Sequence, residues 1–137
     1  MTDAPTWKWE FLGFESRAEG QVVQDWFDSL PETHREEIVS LLAYLQNMVG
    51  RLWDRPYFDP LEGEGGTSEI IVPDIRDEHG VAYYRIYGFR GPKEHQYTFL
   101  HSTNKKARND KNGKRIARRR FDEVRRGEAG VHKFSFE

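Results

Sequence analysis

The chain has no cysteine. Disulfides and thiolate metal sites are therefore excluded, and nothing in the composition asks for an oxidising compartment. It also lacks any apolar run near the roughly 20 residues that a membrane-spanning helix needs. Its start, MTDAPTWKWEFLGF, has no basic segment leading into an apolar one, so no signal peptide is expected. A cytoplasmic location without a membrane partner follows as the expectation. Hydrophobic residues are scarce at 36%, against 32% charged. Aromatic residues, at 14%, offset that scarcity because each buries a large area. One folded domain over residues 1–137 is expected, without repeats or low-complexity tracts.

A net charge of −2 hides a division along the chain. Residues 1–100 carry nine basic and eighteen acidic side chains, whereas residues 101–126 carry eleven basic and three acidic. Such polarity suits a polyanionic partner for the basic part, the alternative being a solvated helix face.

WKWEFLGF, residues 7–14, reads as a short strand. Val22, Val23, Trp26, Phe27 and Leu30 form one helical stripe that Pro31 ends. Thr33 and Glu36 have capping-box spacing, and Ile38, Leu41, Leu42, Leu45, Met48 and Val49 continue a second helix towards Gly50. Arg55 to Gly66, with two prolines and three glycines, reads as a loop. SEIIVPDIR, VAYYRIYGF and QYTFLH then read as three strands joined by turns, an antiparallel meander with Pro73 at an edge or a break. From Lys114, KRIARRRFDEVRR places Ile116, Ala117, Phe121 and Val124 on a narrow apolar stripe of a basic helix. VHKFSFE could add a last short strand.

Four segments carry a resemblance: GQVVQDWFDSLP with its following helix, PYFDPLEG, YYRIYGF, and FLHSTNKKAR leading into the basic helix. In this order they resemble the RelE/HigB superfamily of bacterial toxins, most closely its phage-derived HigB-like branch, over most of residues 7–126. The resemblance implies an α+β fold: a RelE-like small antiparallel sheet packed against an N-terminal helical hairpin, with a basic C-terminal helix. It implies the toxin of a type II toxin–antitoxin module, an mRNA endoribonuclease, with the ribosome and its mRNA as partners, cleaving by 2′-OH attack on the adjacent phosphate. It implies no metal or other cofactor, and a small cognate antitoxin, usually DNA-binding, as protein partner. Alternatives are a non-catalytic RNA-binding domain of the same fold, or a phage accessory protein whose basic helix docks an acidic partner.

Arg85 matches the arginine of the family's YRI-like motif, and Lys105 and Lys106 match its basic pair. In a strand, Arg85 shares a face with Tyr83 and Tyr87, which suits a base-stacking and phosphate-holding surface. The competing reading is an arginine paired to an acid across the sheet. His101 and Tyr87 are the proton-transfer candidates. Arg76, Arg90, Arg108, Lys111, Lys114, Arg115, Arg118 and Arg119 complete an expected phosphate-contacting set. The branch usually has a Leu-Arg pair where this chain reads SEIIVPDIR, so Arg76 would supply that cation from a shifted position. RelE has a tyrosine after the basic pair, and ARNDKNGKR has none. The histidines at 34, 79, 95, 101 and 132 show no metal-ligand spacing along the chain, and GEGG at 63–66 does not open a helix.

Overall fold

The structure is a computed structural model that describes residues 8–50, 53–61, 63, 65–105 and 110–136. Six strands form one sheet in the order β2-β3-β4-β5-β1-β6, with β1 at Glu10–Glu15, β2 at Phe58–Pro60, β3 at Thr67–Asp77, β4 at Gly80–Arg90, β5 at Gln96–Asn104 and β6 at Gly130–Lys133. Three helices among the described residues accompany it: α1 at Val22–Asp28, α2 at Glu32–Gln46 and α3 at Lys111–Arg125. No helix among the described residues is long and apolar enough to cross a membrane.

This architecture corrects the expectation of a small antiparallel sheet packed against an N-terminal hairpin. The sheet is large and mixed, strands dominate, and a helix follows it. The meander β3-β4-β5 is antiparallel as expected, but β1 pairs with β5 in parallel, Phe11 opposite Tyr97 and Gly13 opposite Phe99. β6 then pairs antiparallel with β1, placing β1 inside the sheet. The added strand β2 lies in the Pro- and Gly-rich stretch read as loop, where Phe58 buries opposite Ile70.

Alternation along the strands makes two cores. One face carries Phe11, Ile70, Val72, Tyr84, Ile86, Tyr97 and Phe99, covered by Val23 and Phe27 of α1 and Ile38, Leu42 and Leu45 of α2. The other carries Phe14, Tyr87, Phe89 and Leu100, covered by Ala117 and Phe121 of α3. The helices therefore lie on both sides of the sheet, and the face bearing Arg85 is roofed by α3 rather than open to water.

Local details follow from the same packing. Pro31, not Thr33, is the N-cap of α2, so the expected capping box does not form. Thr33 instead donates its hydroxyl to Asp77 Oδ2 at 2.8 Å. Pro73 sits where the β3–β4 register shifts between Val72 and Ile75, which accommodates its missing N–H. β4 shifts register against β5 between Tyr87 and Gly88. A Cβ at Gly88 would strike the Thr98 carbonyl and the Tyr97 ring, so glycine is what lets these strands close.

Candidate functional site

Beneath the N-terminal end of α3 lies a cluster of buried polar side chains. Arg85, only 3% exposed, donates from a guanidinium NH to Glu69 Oε1 at 2.6 Å and from Nε to the Lys105 carbonyl at 3.1 Å. Its guanidinium also lies 5.1 Å from the Tyr83 ring centre. The pair is diagonal across β3 and β4, where Glu69 stands opposite Tyr87 and Ile71 opposite Arg85. The across-sheet acid that competed with the phosphate-holding reading is thus present.

Glu69 is equally buried, and its Oε2 has no hydrogen-bond partner among the described residues. Burial pushes its carboxyl above the ordinary carboxylate range, with Arg85 and then Lys114 pulling the other way. A buried carboxyl whose pKa is displaced in this way is a proton-transfer candidate.

Asp110 organises the next layer. Its carboxylate accepts the Gly113 N–H at 3.1 Å, capping α3, and the Tyr87 hydroxyl at 2.9 Å. Lys105 Nζ approaches it at 3.4 Å with the lysine side chain 58% exposed. Burial opposes ionisation of Asp110, but the Gly113 N–H, the Tyr87 hydroxyl and Lys105 outweigh it and hold its pKa below the ordinary value. Burial, reinforced by the bond to Asp110, pushes the Tyr87 phenol well above its ordinary value, so it keeps its proton.

Gly113 is required at its position because a Cβ there would strike the Asp110 carboxylate. Gly113→Ala is therefore expected to lower the melting temperature, although alanine favours a helix interior by about 1 kcal/mol over glycine. A melting temperature above wild type would show that the cap is dispensable.

His101 stacks near Tyr87, ring centroids 6.3 Å apart, and its Nδ1 lies 3.2 Å from an Arg120 guanidinium nitrogen. Arginine only donates, so Nδ1 accepts and the neutral ring carries its proton on Nε2. Burial first and Arg120 second lower its pKa to about 4. At neutral pH this imidazole is a hydrogen-bond donor rather than a base. Arg120 itself is 7% exposed and also donates to Glu19 Oε2 at 2.8 Å and the Leu100 carbonyl at 2.8 Å. It is a structural tie from α3 to β5 and the β1–α1 connection.

The outer face of α3 borders an open hollow of about 700 Å³, lined by Lys111, Lys114, Arg115, Arg118, Arg119, Asp122 and Arg126. Several of these cations are already paired. Arg119 reaches Glu19 at 2.7 Å and Glu123 at 3.1 Å, Arg118 reaches Asp122 at 3.4 Å, and Arg126 reaches Glu128 at 2.9 Å. Lys111 and Arg115 are exposed and have no ion-pair partner among the described residues.

Two expected contacts are placed elsewhere. Arg90 packs on the opposite face of the sheet against Phe58, Trp53 and Trp9, 4.8–5.7 Å from their ring centres, and donates to the Gly50 carbonyl at 2.7 Å. Arg76 lies towards the far end of β3, seven residues and about 20 Å of strand from Glu69, paired with Asp74 at 3.2 Å. Lys106 and Arg108 lie outside the described residues. Glu69, Asp110 and Arg120 are the additions that sequence reasoning missed. Comparison with known proteins finds no matching family model, no matching curated protein and no matching solved structure.

Proposed function

We propose that the chain is the toxin of a type II toxin–antitoxin module: a metal-independent endoribonuclease that acts on mRNA at the ribosome. The observation that carries this reading is the gathering of Glu69, Arg85, Tyr87 and Asp110 beside the half-exposed Lys105, at the end of a basic helix. Buried ionisable groups with displaced pKa values cluster where proton transfer is done. The YYRIYGF and FLHSTNKKAR segments, through which the sequence resembles RelE/HigB toxins, supply Arg85, Tyr87 and Lys105 to this cluster.

The chemistry assigns roles by geometry. The ribose 2′-oxygen attacks the adjacent phosphorus, its proton passes to the Glu69 carboxylate, and the bond to the 5′-oxygen breaks. The leaving oxygen takes a proton from Lys105 or from water. Lys105 presents a fixed cation to the phosphorane charge, which is how such groups lower a barrier. Arg85 is a positioning residue that holds Glu69 and the Lys105 main chain. Lys111, Lys114 and Arg115 contact RNA backbone without reading sequence. A small antitoxin, DNA-binding in modules of this kind, is the proposed protein partner.

One observation favours a second reading, a non-catalytic RNA-binding domain. Glu69 and Arg85 are both nearly inaccessible and pair with each other. Induction in a bacterial host separates the two. Growth arrest with fragmented mRNA, abolished by Glu69→Gln, is expected of the enzyme. RNA binding without fragmentation, in induced cells and in vitro, would leave the binding domain.

Either reading predicts salt-sensitive association. Neutralising Lys111 and Arg115 together is expected to weaken RNA binding and to lower the slope of log affinity against log salt by roughly 1–2, the counterions released from two phosphates. Filter binding across a salt series measures this. An unchanged slope would remove α3 from the interface.

A further inference from the structure

On the opposite face of the sheet, the turn between β3 and β4 meets the first turn of α2. We propose that His34, Asp77 and His79, with Glu78 in reach as a fourth ligand, form a binding site for a divalent metal ion of the zinc class. The site is independent of the RNA reading and lies beyond it.

His34 carries the argument. Its side chain is 5% exposed, and its Nε2 lies 3.0 Å from Asp77 Oδ2 yet makes no hydrogen bond among the described residues. Its Nδ1 is committed, 2.7 Å from the Tyr84 hydroxyl. Protonated, Nε2 faces the carboxylate at ion-pair distance but without hydrogen-bond geometry, and unprotonated, it sets a lone pair against that carboxylate. A cation between the two resolves the second case, with Nδ1–H donating to the Tyr84 oxygen. A ligating histidine generally has such a partner on its other nitrogen.

Asp77 also belongs to a neighbouring group of donors. Ligand atoms of Asp77, Glu78 and His79 lie within 4.8 Å of one another. The His79 ring stands perpendicular to that of His34 with centroids 5.8 Å apart. Two ligands on one tetrahedral zinc lie about 3.3 Å apart, given bonds near 2.0–2.1 Å, and the His34–Asp77 approach is close to that. Thr33 and the His79 N–H both donate to the Asp77 carboxylate at 2.8 Å, fixing it as an outer shell would. Two imidazoles and one or two carboxylates select zinc-like ions over magnesium or calcium, which favour all-oxygen sites. Bound metal would clamp the hairpin tip to α2. The spacing of 45 residues between His34 and His79 is why the chain shows no motif.

The test is calorimetric titration of the chelator-stripped protein with Zn²⁺ at neutral pH, with the cobalt(II) absorption spectrum beside it. Expected are one saturable equivalent, a melting temperature that rises with zinc, and the visible bands of a four-coordinate cobalt site. His79 is half-exposed, so His79→Ala should melt like wild type without metal and lose affinity by about tenfold or more. Tyr84→Phe keeps every ligand and should weaken binding by about 10–100-fold through the lost outer partner. Absence of saturable binding would overturn the site. So would binding that His79→Ala leaves unchanged, since the zinc would then sit on other histidines.

Discussion

Replacing Arg85 by alanine is expected to lower stability by about 3–5 kcal/mol at neutral pH, the usual consequence of removing one partner from a buried ion pair. The sequence alone suggests a milder outcome, because Arg85 reads there as one cation on a wet Tyr-Arg-Tyr face. The structure roofs that face with α3, and Arg85 answers the Glu69 charge at 2.6 Å while holding the Lys105 carbonyl. Without the guanidinium, Glu69 keeps the influence that raises its pKa, its burial, and loses the Arg85 charge that opposes it. The sign of the pH dependence then follows. A carboxyl whose folded pKa lies above the unfolded value contributes stability below the unfolded value, and that stability is lost as pH rises through the folded pKa. The deficit of Arg85→Ala should therefore shrink as pH falls towards 4.5, the ordinary glutamate value, and grow towards neutrality. Denaturant melts at several pH values measure it. The double variant Arg85→Met, Glu69→Leu removes both charges and should recover much of the loss. A deficit independent of pH and not relieved in the double variant would assign the effect to lost packing instead.

What the sequence made legible, and what it did not, divides along contact range. The stripe Ile38, Leu41, Leu42, Leu45 reads as a helix and is one, because its periodicity is local. The meander reads correctly for the same reason, each strand lying next to its neighbour in the chain. The parallel β1–β5 pair joins residues more than eighty positions apart, Glu10 with Gln96, and no local pattern encodes it. That pair alone makes the sheet mixed rather than antiparallel. β2 was hidden by its prolines and glycines, although Phe58 is a core residue.

The site divides similarly. Arg85 and Lys105 stand out as cations at motif positions, whereas Glu69 sits in SEIIVPDIR as one acid among many. A usable signal existed: Glu69 and Arg85 are charges of opposite sign flanked by apolar residues in two adjacent strands, which asks for pairing. Arg120 likewise falls on the stripe Gly113, Ala117, Arg120, Phe121, Val124, so its burial could have been read from spacing. Arg90 could not, because whether a strand-end arginine packs on aromatic rings depends on Trp9 and the 53–58 stretch, with Trp53 and Phe58, arriving from two distant segments.

The other large effect expected is on cleavage itself. Glu69→Gln should slow the chemical step by roughly 10²–10⁴-fold, the usual contribution of a positioned proton-transfer group, while RNA affinity stays within a few-fold of wild type. Glutamine keeps an oxygen to accept from Arg85 but cannot take the 2′-OH proton. Changes at Lys111 and Arg115 should do the reverse, weakening affinity and leaving the rate at saturation intact, because contacts made equally before and during reaction affect binding and not the chemical step. Single-turnover cleavage at saturating substrate separates the two, with ribosome-bound mRNA and free RNA run side by side. Glutamine leaves a buried cation without its counter-charge, so melting is measured on the same preparation. Should Glu69→Gln melt below the assay temperature, Glu69→Asp carries the comparison, since it keeps the charge near Arg85 and withdraws the oxygen by one carbon. It is expected to fold and to cleave at an intermediate rate. A folded Glu69 variant that cleaves at the wild-type rate would move the base elsewhere. Lys105→Ala tests the remaining cation of the cluster: its ammonium is half-exposed, so its loss should reduce the rate at saturation with little change in melting. If neither substitution touches the rate, the buried cluster is framework, and α3 is a docking surface for RNA.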